Sequence, residues 1–325
     1  MHNIAITGLG HYLPKRVLSN SELEKMVETS EEWIISRTGI KERRIADKGE
    51  KTSFMAAKAA KEAINDAGVD IQDIDLIVVG TTTPDSNFPS VACWVQKELN
   101  AKNAACFDVS AACSGFLFAL TTAKQYISSG MFKNAIVVGA DKFTNLIDWN
   151  DRSTCVLFGD GAGAVVLSNT RSDHGILADY IHSLGEFGEF MQVIAEERQP
   201  LDQKSKHLAV PYALMRGQEL FKIAVNSMSD AVEIVARKAK VKIDDIVCVV
   251  PHQANDRIIA AVAKKSKIPK ERFFINIDKY GNMSAASCAV ALYEAVKSGR
   301  IKKGDYFVIV AFGAGLVVGA NLIKW

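Results

Sequence analysis

The sequence lacks the patterns by which proteins usually hold metals or form disulfides. Its six cysteines include no CxxC pair and no cluster with histidine, which gives no support to a zinc site or a disulfide framework. Charge is almost balanced, with 39 basic and 37 acidic residues, so it gives no general attraction to nucleic acid or to a membrane. We therefore expect a protein of the reducing cytoplasm with no metal, no nucleic-acid partner and no membrane partner.

Hydrophobic segments of the membrane type are also scarce. The first residues, MHNIAITGLGHYLP, lack the basic stretch and long apolar stretch of a signal peptide, so we expect none. Residues 306–323, YFVIVAFGAGLVVGANLI, approach the length of a membrane span. Glycines and β-branched residues interrupt this segment, so we predict two buried strands joined by a glycine turn. The 325 residues, 48% of them hydrophobic, are enough for two domains or a duplicated core.

The chain repeats itself at one constant shift of 172 positions, from Val69 to Val241 for example, which we call the repeat offset. VDIQDIDLIVV, which starts at Val69, resembles VKIDDIVCVV, which starts at Val241. The same shift relates ALTTAKQYISSGMFKNAIVVGA, from Ala119, to ALYEAVKSGRIKKGDYFVIVAF, from Ala291. Several matches at one offset indicate a duplication. We predict two α/β halves, 1–172 and 173–325, which pack as one body because no flexible linker separates them.

One cysteine of the first half stands in an unusual setting. Cys113 lies among small residues in DVSAACSGFL and opens the segment SGFLFALTTAKQYISSG, which we predict to be a helix. The unpaired N–H groups and the dipole at the start of a helix favour a thiolate, and a thiolate can accept an acyl group from a thioester. The alternative is that Cys113 is a small buried side chain, the commonest role of a free cysteine. We expect the other five cysteines, which lie in aliphatic segments, to belong to the core.

The repeat offset relates Cys113 to a loop of the second half. It carries position 113 to position 285 in YGNMSAASCAVALYEA, a segment that contains Asn282. The strand that ends at Gly80 corresponds to a strand that ends at His252, in VVPHQAN. If the halves pack about a pseudo-twofold axis, a cysteine, a histidine and an asparagine share one pocket. A hydrogen-bonded structural histidine and an asparagine that merely forms a turn are the alternatives.

Six stretches resemble one known family over essentially the whole chain. They are, in order, EEWIISRTGIKERR, FDVSAACSGF, FGDGAGA, PHQAN, YGNMSAAS and AFGAG. The family is 3-oxoacyl-[acyl-carrier-protein] synthase III, the condensing enzyme that starts type II fatty-acid synthesis. The resemblance implies an α/β thiolase-like fold, in which two duplicated βαβαβ-type halves form a five-layered α-β-α-β-α arrangement, and it implies a homodimer.

The resemblance also implies a reaction. The family carries out a decarboxylative Claisen condensation of an acyl-CoA primer with malonyl-acyl carrier protein through an acyl-cysteine intermediate. We expect acetyl-CoA to be the primer, and 3-oxoacyl-ACP, coenzyme A and CO₂ to be the products. No cofactor is implied, because the coenzyme A thioester is itself a substrate.

Individual residues receive roles from the resemblance. Cys113, His252 and Asn282 would form the catalytic triad. The backbone N–H groups of Cys113 and Ala314 would form the oxyanion hole. The residues implied in coenzyme A binding are Trp33, Arg37, Arg152 and Asn255, and those implied in carrier-protein binding are Gln253, Ala254, Asn255, Asp256 and Arg257. Phe88, in NFPS, would enter the acyl pocket of the partner subunit.

The chain departs from the usual family pattern at positions expected near the pocket. Met283 replaces the threonine that usually follows the catalytic asparagine. Ala314 interrupts the glycine loop, and Val317 and Val318 replace a Thr-Trp pair. These differences concern primer choice, so a condensing enzyme that loads another starter, as in polyketide or quinolone-type synthesis, is an alternative. A non-catalytic acyl-CoA-binding protein is a second alternative, whereas a biosynthetic thiolase would carry a second cysteine where this chain has Phe312.

Overall fold

The computed structural model describes residues 3–170, 173–193 and 212–325. The strands are β1 (Asn3–Tyr12), β2 (Arg16–Ser19), β3 (Glu42–Ile45), β4 (Leu76–Gly80), β5 (Ala105–Val109), β6 (Asn134–Lys142), β7 (Asp160–Thr170), β8 (Gly175–Ser183), β9 (Met191–Val193), β10 (Ala213–Met215), β11 (Ile246–Pro251), β12 (Tyr306–Gly313) and β13 (Val317–Lys324). The helices are α1 (Asn20–Leu23), α2 (Glu31–Thr38), α3 (Thr52–Ala67), α4 (Val91–Leu99), α5 (Gly115–Ser128), α6 (Arg152–Cys155), α7 (Gly217–Ala239), α8 (Asp256–Ser266), α9 (Ile277–Tyr280) and α10 (Ala286–Lys297).

Two sheets form the frame, and each takes its strands from one side of the predicted boundary. The larger sheet has the strand order β1-β7-β6-β4-β5, in which β4 runs parallel to both β5 and β6. The second sheet has the order β11-β12-β13-β8, in which β11 and β12 are parallel. The predicted boundary falls between β7 and β8 and lies outside the described residues.

Helices lie between the sheets and on both outer faces. α5 and α10 form the central layer, because apolar side chains of both helices and both sheets share one cluster that includes Phe116, Leu292 and Ile309. α3 and α4 cover the outer face of the larger sheet, and α7 and α8 cover that of the second. The predicted five-layered α-β-α-β-α arrangement is therefore confirmed. The central parallel strands read as continuous apolar runs, such as LIVVG in β4, because both of their faces are buried.

The duplication is visible in the backbone itself. Strands β4 and β6 and helix α5 recur as β11, β12 and α10, close to the positions that the repeat offset gives. Ala112 and Ser284, which the repeat offset relates, both have positive φ angles, 44° and 49°. Residues with a side chain rarely adopt this conformation. The same unusual turn therefore precedes α5 and α10, and it has been kept in both copies.

The apolar segment 306–323 forms two strands, as predicted. β12 and β13 pair antiparallel, with Tyr306 opposite Lys324 at one end and Gly313 opposite Val317 at the other. Within residues 3–170, 173–193 and 212–325, no helix is both long enough and apolar enough to cross a bilayer.

Candidate active site

The position of Cys113 is fixed by close packing of backbone on backbone. Cys113 lies in a short 3₁₀ turn, Ala112–Ser114, which leads directly into α5. A Cβ atom on Gly80, at the end of β4, would lie 2.3 Å from the carbonyl carbon of Gly115. Only glycine allows this approach, so the start of α5 rests on the carboxyl end of a parallel strand. Open α/β sheets commonly place their ligands at this edge.

Cys113, His252 and Asn282 line one cavity of about 150 Å³. Cys113 follows β5, His252 follows β11, and Asn282 lies in the loop between α9 and α10. The three residues are only 4%, 2% and 6% exposed, respectively, so bulk water has little access to them. The structure thus brings together the side chains that the repeat offset had related.

The side-chain amide of Asn282 has a fixed orientation. Its Oδ1 accepts a hydrogen bond of 2.8 Å from the backbone N–H of Ser284. Its backbone N–H donates to the carbonyl of Leu157, and its own carbonyl accepts from the N–H of Gly159. Because Oδ1 is held within the loop, the NH₂ group is the part of the amide that can donate to a ligand in the cavity.

His252 is a neutral imidazole. Burial lowers its pKa to about 3, so the ring carries no charge at physiological pH. Its Nδ1 is buried and has no hydrogen-bond partner among the described residues. An unpaired N–H costs more to bury than an unpaired lone pair, so the buried Nδ1 carries the lone pair and Nε2 carries the proton. His252 can therefore donate one hydrogen bond from Nε2 without being an ion.

The thiol of Cys113 is protonated in the resting protein. Burial raises its pKa to about 12; the Ser284 hydroxyl acts to lower it, and the negative charge of Asp141 acts to raise it. The start of α5 lies close to Cys113, as the sequence predicts, but burial opposes the thiolate that a helix terminus favours. Loss of hydration affects the anion more strongly than the helix terminus does.

Asp141, at the end of β6, is a site residue that the sequence analysis missed. Its Oδ1 accepts hydrogen bonds from three consecutive residues of the loop after β4, Thr81, Thr82 and Thr83. Its Oδ2 accepts a hydrogen bond of 3.0 Å from the backbone N–H of Ala285. Asp141 thereby fastens the loop of Asn282 to the first half of the chain. An aspartate in the apolar run IVVGADK was the available signal, since a buried charge needs partners.

Gly313 approaches the backbone of Cys113. A Cβ atom on this residue, at the end of β12, would lie 2.8 Å from the backbone nitrogen of Cys113. A side chain at position 313 would therefore occupy the space beside that N–H. Ala314 follows Gly313 directly and is partly exposed, in the turn between β12 and β13.

The cavity opens into a basic groove. This groove has a volume of about 400 Å³ and includes Arg37, Asn255 and Arg257 in its wall. It shares Gly217, Phe221 and Asn255 with the wall of the cavity, so the two spaces adjoin. Asn255 caps α8 through its Oδ1, and its Nδ2 donates to the carbonyl of Arg37 at 3.0 Å. The predicted coenzyme A contacts Arg37 and Asn255 therefore lie together at the mouth.

The other two predicted coenzyme A contacts also meet. The guanidinium carbon of Arg152 lies 5.0 Å from the centre of the Trp33 ring, which is a cation–π contact. Arg152 also donates to the carbonyl of Glu28 at 3.0 Å. Trp33 is partly buried and Arg152 is exposed, so the pair presents a flat aromatic and cationic surface to solvent.

One prediction made near the site is wrong. Gln253, predicted to contact the carrier protein, is fully buried. Its Nε2 donates to the carbonyls of Pro251 and Phe274, and its Oε1 accepts from two backbone N–H groups, so no atom is left for a partner. Met283 follows Asn282 directly but does not itself line the cavity, and its side chain packs in an apolar cluster with Tyr280 and Val290.

Phe88 lies away from the cavity of its own chain. Its side chain is 86% exposed, although a phenylalanine normally buries most of its surface. It belongs to the loop between β4 and α4, close to β5 at the edge of the larger sheet.

Comparison with known proteins gives one consistent result. Residues 107–185 match the family described as 3-oxoacyl-[acyl-carrier-protein (ACP)] synthase III, and residues 236–325 match its C-terminal part. A β-ketoacyl-[acyl-carrier-protein] synthase III of Caldanaerobacter subterraneus subsp. tengcongensis is 49% identical over 98% of this chain and 97% of its own. The corresponding protein of Aquifex aeolicus is 50% identical over 98% of this chain and 99% of its own.

Solved structures agree. The crystal structure of 3-oxoacyl-[acyl-carrier-protein] synthase III from Aquifex aeolicus VF5 covers 100% of both chains with a TM-score of 0.92 and 49% identity. The priming β-ketosynthase of the R1128 polyketide pathway covers 99% of this chain and 96% of its own, with a TM-score of 0.93 and 35% identity. By sequence over its whole length and by fold, the chain belongs to the 3-oxoacyl-[acyl-carrier-protein] synthase III family of acyl-transferring condensing enzymes.

Proposed function

We propose that this chain condenses an acyl-CoA primer with malonyl-acyl carrier protein in two half-reactions on Cys113. The observation that supports this most directly is that one buried cavity holds a thiol and the side chains of His252 and Asn282, each with a hydrogen-bond donor and neither charged. Neutral donors in a site with little water stabilise an oxyanion without the cost of burying another charge.

In the first half-reaction, Cys113 Sγ attacks the thioester carbonyl of the primer. The carbonyl oxygen becomes an oxyanion beside Gly313, where the backbone N–H groups of Cys113 and Ala314 donate to it. The C–S bond to coenzyme A then breaks, and the thiol proton leaves with the coenzyme A thiolate. Because the thiol pKa is about 12 at rest, this proton moves during the attack rather than before it.

In the second half-reaction, malonyl-acyl carrier protein occupies the same cavity. His252 Nε2–H and the Asn282 amide donate to its thioester carbonyl, and the C–C bond to the carboxylate breaks to release CO₂. The electron pair forms an enolate held by the two donors. Its carbon attacks the acyl carbonyl on Cys113, and the C–S bond breaks with its electron pair on sulfur. The thiolate then takes up from solvent the one proton that the overall reaction consumes. Because the His252 pKa is about 3, the imidazole keeps this role throughout the physiological pH range.

Coenzyme A enters along the basic groove. Arg37 and Asn255 stand at its mouth, where a guanidinium suits the phosphates of the nucleotide. Trp33 and Arg152 are proposed to take the adenine between them, since a purine can stack on an indole and on a guanidinium. The two are in contact at 5.0 Å, so they move apart to admit the base.

The carrier protein is proposed to dock on α8 beside this mouth. Among the basic residues of this region, Lys270 is paired with Asp256 and Lys265 with Asp230. Arg257 is exposed at the start of α8 and also borders the groove. An acidic carrier protein that delivers its pantetheine into the groove would meet Arg257 first.

Replacing Arg257 by glutamate is expected to raise KM for malonyl-acyl carrier protein by about tenfold, because a rim charge steers the encounter of oppositely charged proteins. Transfer of the acyl group from acyl-CoA to Cys113 should change much less. Steady-state kinetics at several salt concentrations measures the effect, and the wild-type advantage should shrink as salt screens the charge.

Arg237→Glu is the matched control for this experiment. Arg237 is exposed near the end of α7, about 30 Å along that helix from Gly217 at the mouth. It introduces the same change of charge without facing the groove. If both variants raised KM equally, or if Arg257→Glu had no effect at any salt concentration, the docking surface on α8 would be excluded.

A homodimer is part of the proposal. β5 is the last strand of the larger sheet, and its outer edge pairs with no strand in the described part of the chain. An open strand edge is a ready site for pairing with another copy. Phe88, 86% exposed near this edge, is then placed to reach the acyl pocket of the partner subunit.

The reaction is tested by mass spectrometry of the intact protein after incubation with a mixture of acetyl-CoA, branched acyl-CoA and longer acyl-CoA. A cavity of about 150 Å³ accommodates a group of roughly benzene's size, which favours a short primer over a long one. Among short primers we expect the acetyl adduct to dominate, as the family resemblance implies. Addition of malonyl-acyl carrier protein should then remove the adduct and release CO₂.

The other outcomes of this experiment separate the alternatives. Dominance of a longer or branched adduct would favour a starter-loading enzyme comparable to the R1128 priming β-ketosynthase, to which the fold is also close. An adduct that malonyl-acyl carrier protein never consumes, or binding with no adduct at all, would contradict condensation.

A further inference from the structure

Ser284 is a buried polar residue that the proposed reaction does not yet use. It is fully buried, two residues beyond Asn282, and its backbone has a φ angle of 49°. Its hydroxyl completes no hydrogen bond with any residue in the described part of the chain. Buried hydroxyl groups are normally paired, so an unpaired one beside a reactive centre needs a reason.

Ser284 lies close enough to Cys113 for its hydroxyl to act on the pKa of the thiol, which it lowers against the effect of burial. This placement follows from the pseudo-symmetry, in which Ala112 and Cys113 correspond to Ser284 and Ala285. The two turns with positive φ face one another at the centre, and Cβ of Ala285 approaches Gly115 at the start of α5. The copy that carries the nucleophile has alanine at the related position, and the opposite copy has serine.

We propose that Ser284 is a further catalytic residue, whose hydroxyl donates a hydrogen bond to Cys113 Sγ as the thiol becomes a thiolate. The proposal rests on the proposed function in that Cys113 is the attacking group. A thiol is a weak acceptor, whereas a thiolate is a strong one. The hydroxyl is therefore unpaired in the resting protein and becomes paired when sulfur carries negative charge.

The environment of the sulfur explains why such a donor matters. Burial and the carboxylate of Asp141 both disfavour the thiolate, and Ser284 is the side chain that acts in the opposite direction. Asp141 is committed to holding the loop after β4 and the N–H of Ala285. The neutral hydroxyl of Ser284 partly offsets the effects of burial and of the Asp141 carboxylate on the thiolate, and it adds no charge to the cavity.

The test is the pH dependence of alkylation of Cys113 by iodoacetamide in the absence of any thioester, followed by peptide mass spectrometry. Ser284→Ala removes the hydroxyl and keeps Cβ, and Ser284→Gly removes both and suits the positive φ. Loss of one hydrogen bond to an anion should raise the thiol pKa by about one unit. The alkylation rate should fall about tenfold at each pH between about 6 and 10 in both variants.

Ser287→Ala is the matched control. The hydroxyl of Ser287 is also buried, at the start of α10, the helix that follows Ser284. It accepts a hydrogen bond of 3.0 Å from the backbone N–H of Met283. The variant should leave the alkylation profile of Cys113 unchanged. Unchanged profiles in both Ser284 variants would overturn the proposal, and so would an equal slowing in Ser287→Ala, which would indicate general loosening of the helix.

The two Ser284 variants also exclude a role limited to backbone strain. Glycine relieves the positive φ and alanine does not, so strain alone would make them differ, whereas loss of the hydroxyl makes them alike. Failure of acyl-enzyme formation in the wild-type protein would contradict the proposed function and leave the alkylation result standing by itself. The two hypotheses therefore fail in different experiments.

Discussion

Replacing Cys113 by alanine is expected to abolish acyl-enzyme formation entirely. Among the residues that the structure describes, the neighbouring buried thiol is Cys288, which lies within α10 outside the cavity wall, and burial raises its pKa as well. The variant should still release CO₂ slowly from malonyl-acyl carrier protein, because His252 and Asn282 remain in place. Incorporation of label from radioactive acetyl-CoA measures acyl-enzyme formation, and CO₂ release measured beside it gives the rate of decarboxylation.

Cys288→Ala is the control for this variant. It removes a thiol of equal size from the same central layer and should leave labelling close to the wild-type level, with only a small loss of stability. Retention of label in Cys113→Ala would show that the acyl group resides elsewhere. Loss of label in both variants would point to damage of the central layer rather than loss of a nucleophile.

The second large effect is expected at Asn282. Asn282→Asp keeps the shape and the Oδ1 acceptor that binds Ser284 N–H, but a carboxylate cannot donate. Loss of one oxyanion donor costs about 100-fold or more in rate, and the new charge adds to this loss. Asn282→Asp and Asn282→Ala should therefore both lose condensation while still forming the acyl-enzyme. His252→Ala should behave in the same way, because a neutral imidazole forms no ion pair with a thiolate.

Single-turnover experiments separate the two steps. The acyl-enzyme is first formed with labelled acetyl-CoA, and malonyl-acyl carrier protein is then added. Disappearance of the label should be slow in the Asn282 variants and in His252→Ala. If Asn282→Ala abolished labelling while Cys113→Ala kept it, the roles of the two residues would be the reverse of those proposed. Full condensation by Asn282→Asp would mean that the amide donor is dispensable.

The duplication made much of this site predictable from the sequence. The repeat offset related Cys113 to the loop of Asn282 and Gly80 to His252, and the structure brings these segments to one cavity. The aliphatic strands and the helix after Cys113 were predictable for a local reason, since strands buried on both faces and helices between two sheets need continuous apolar sequence.

Properties that depend on several distant segments at once were not predictable. The burial of Gln253 depends on Phe274 and on two backbone N–H groups that lie more than twenty positions further along the chain. The pKa of Cys113 depends on how completely the layers exclude water, which no local pattern records. Met283 packs with Tyr280 and Val290 rather than in the cavity wall, which depends on how the segments before and within α10 come together.

The contact between Asp141 and Ala285 acquires a further meaning from the symmetry. The repeat offset relates Asp141 to Gly313, and Cys113 to Ala285. In one copy, a carboxylate oxygen lies 3.0 Å from the backbone nitrogen at the head of the central helix. In the other copy, Gly313 lies beside the equivalent N–H of Cys113. Because glycine has no side chain, the space next to this N–H stays free.

In the proposed reaction the N–H of Cys113 binds an oxyanion only during turnover, whereas the related N–H of Ala285 binds a carboxylate oxygen in the resting structure. The carboxylate of Asp141 accepts a hydrogen bond from the N–H of Ala285, at the position related to the proposed oxyanion site. It shows that the backbone at this point of the fold can donate to a negatively charged oxygen. The N-terminal ends of α5 and α10 therefore share one backbone arrangement and differ in the group that lies beside the N–H. In the proposed reaction, the missing side chain at position 313 matters as much as the thiol at position 113, because it leaves the N–H of Cys113 free to bind the oxyanion.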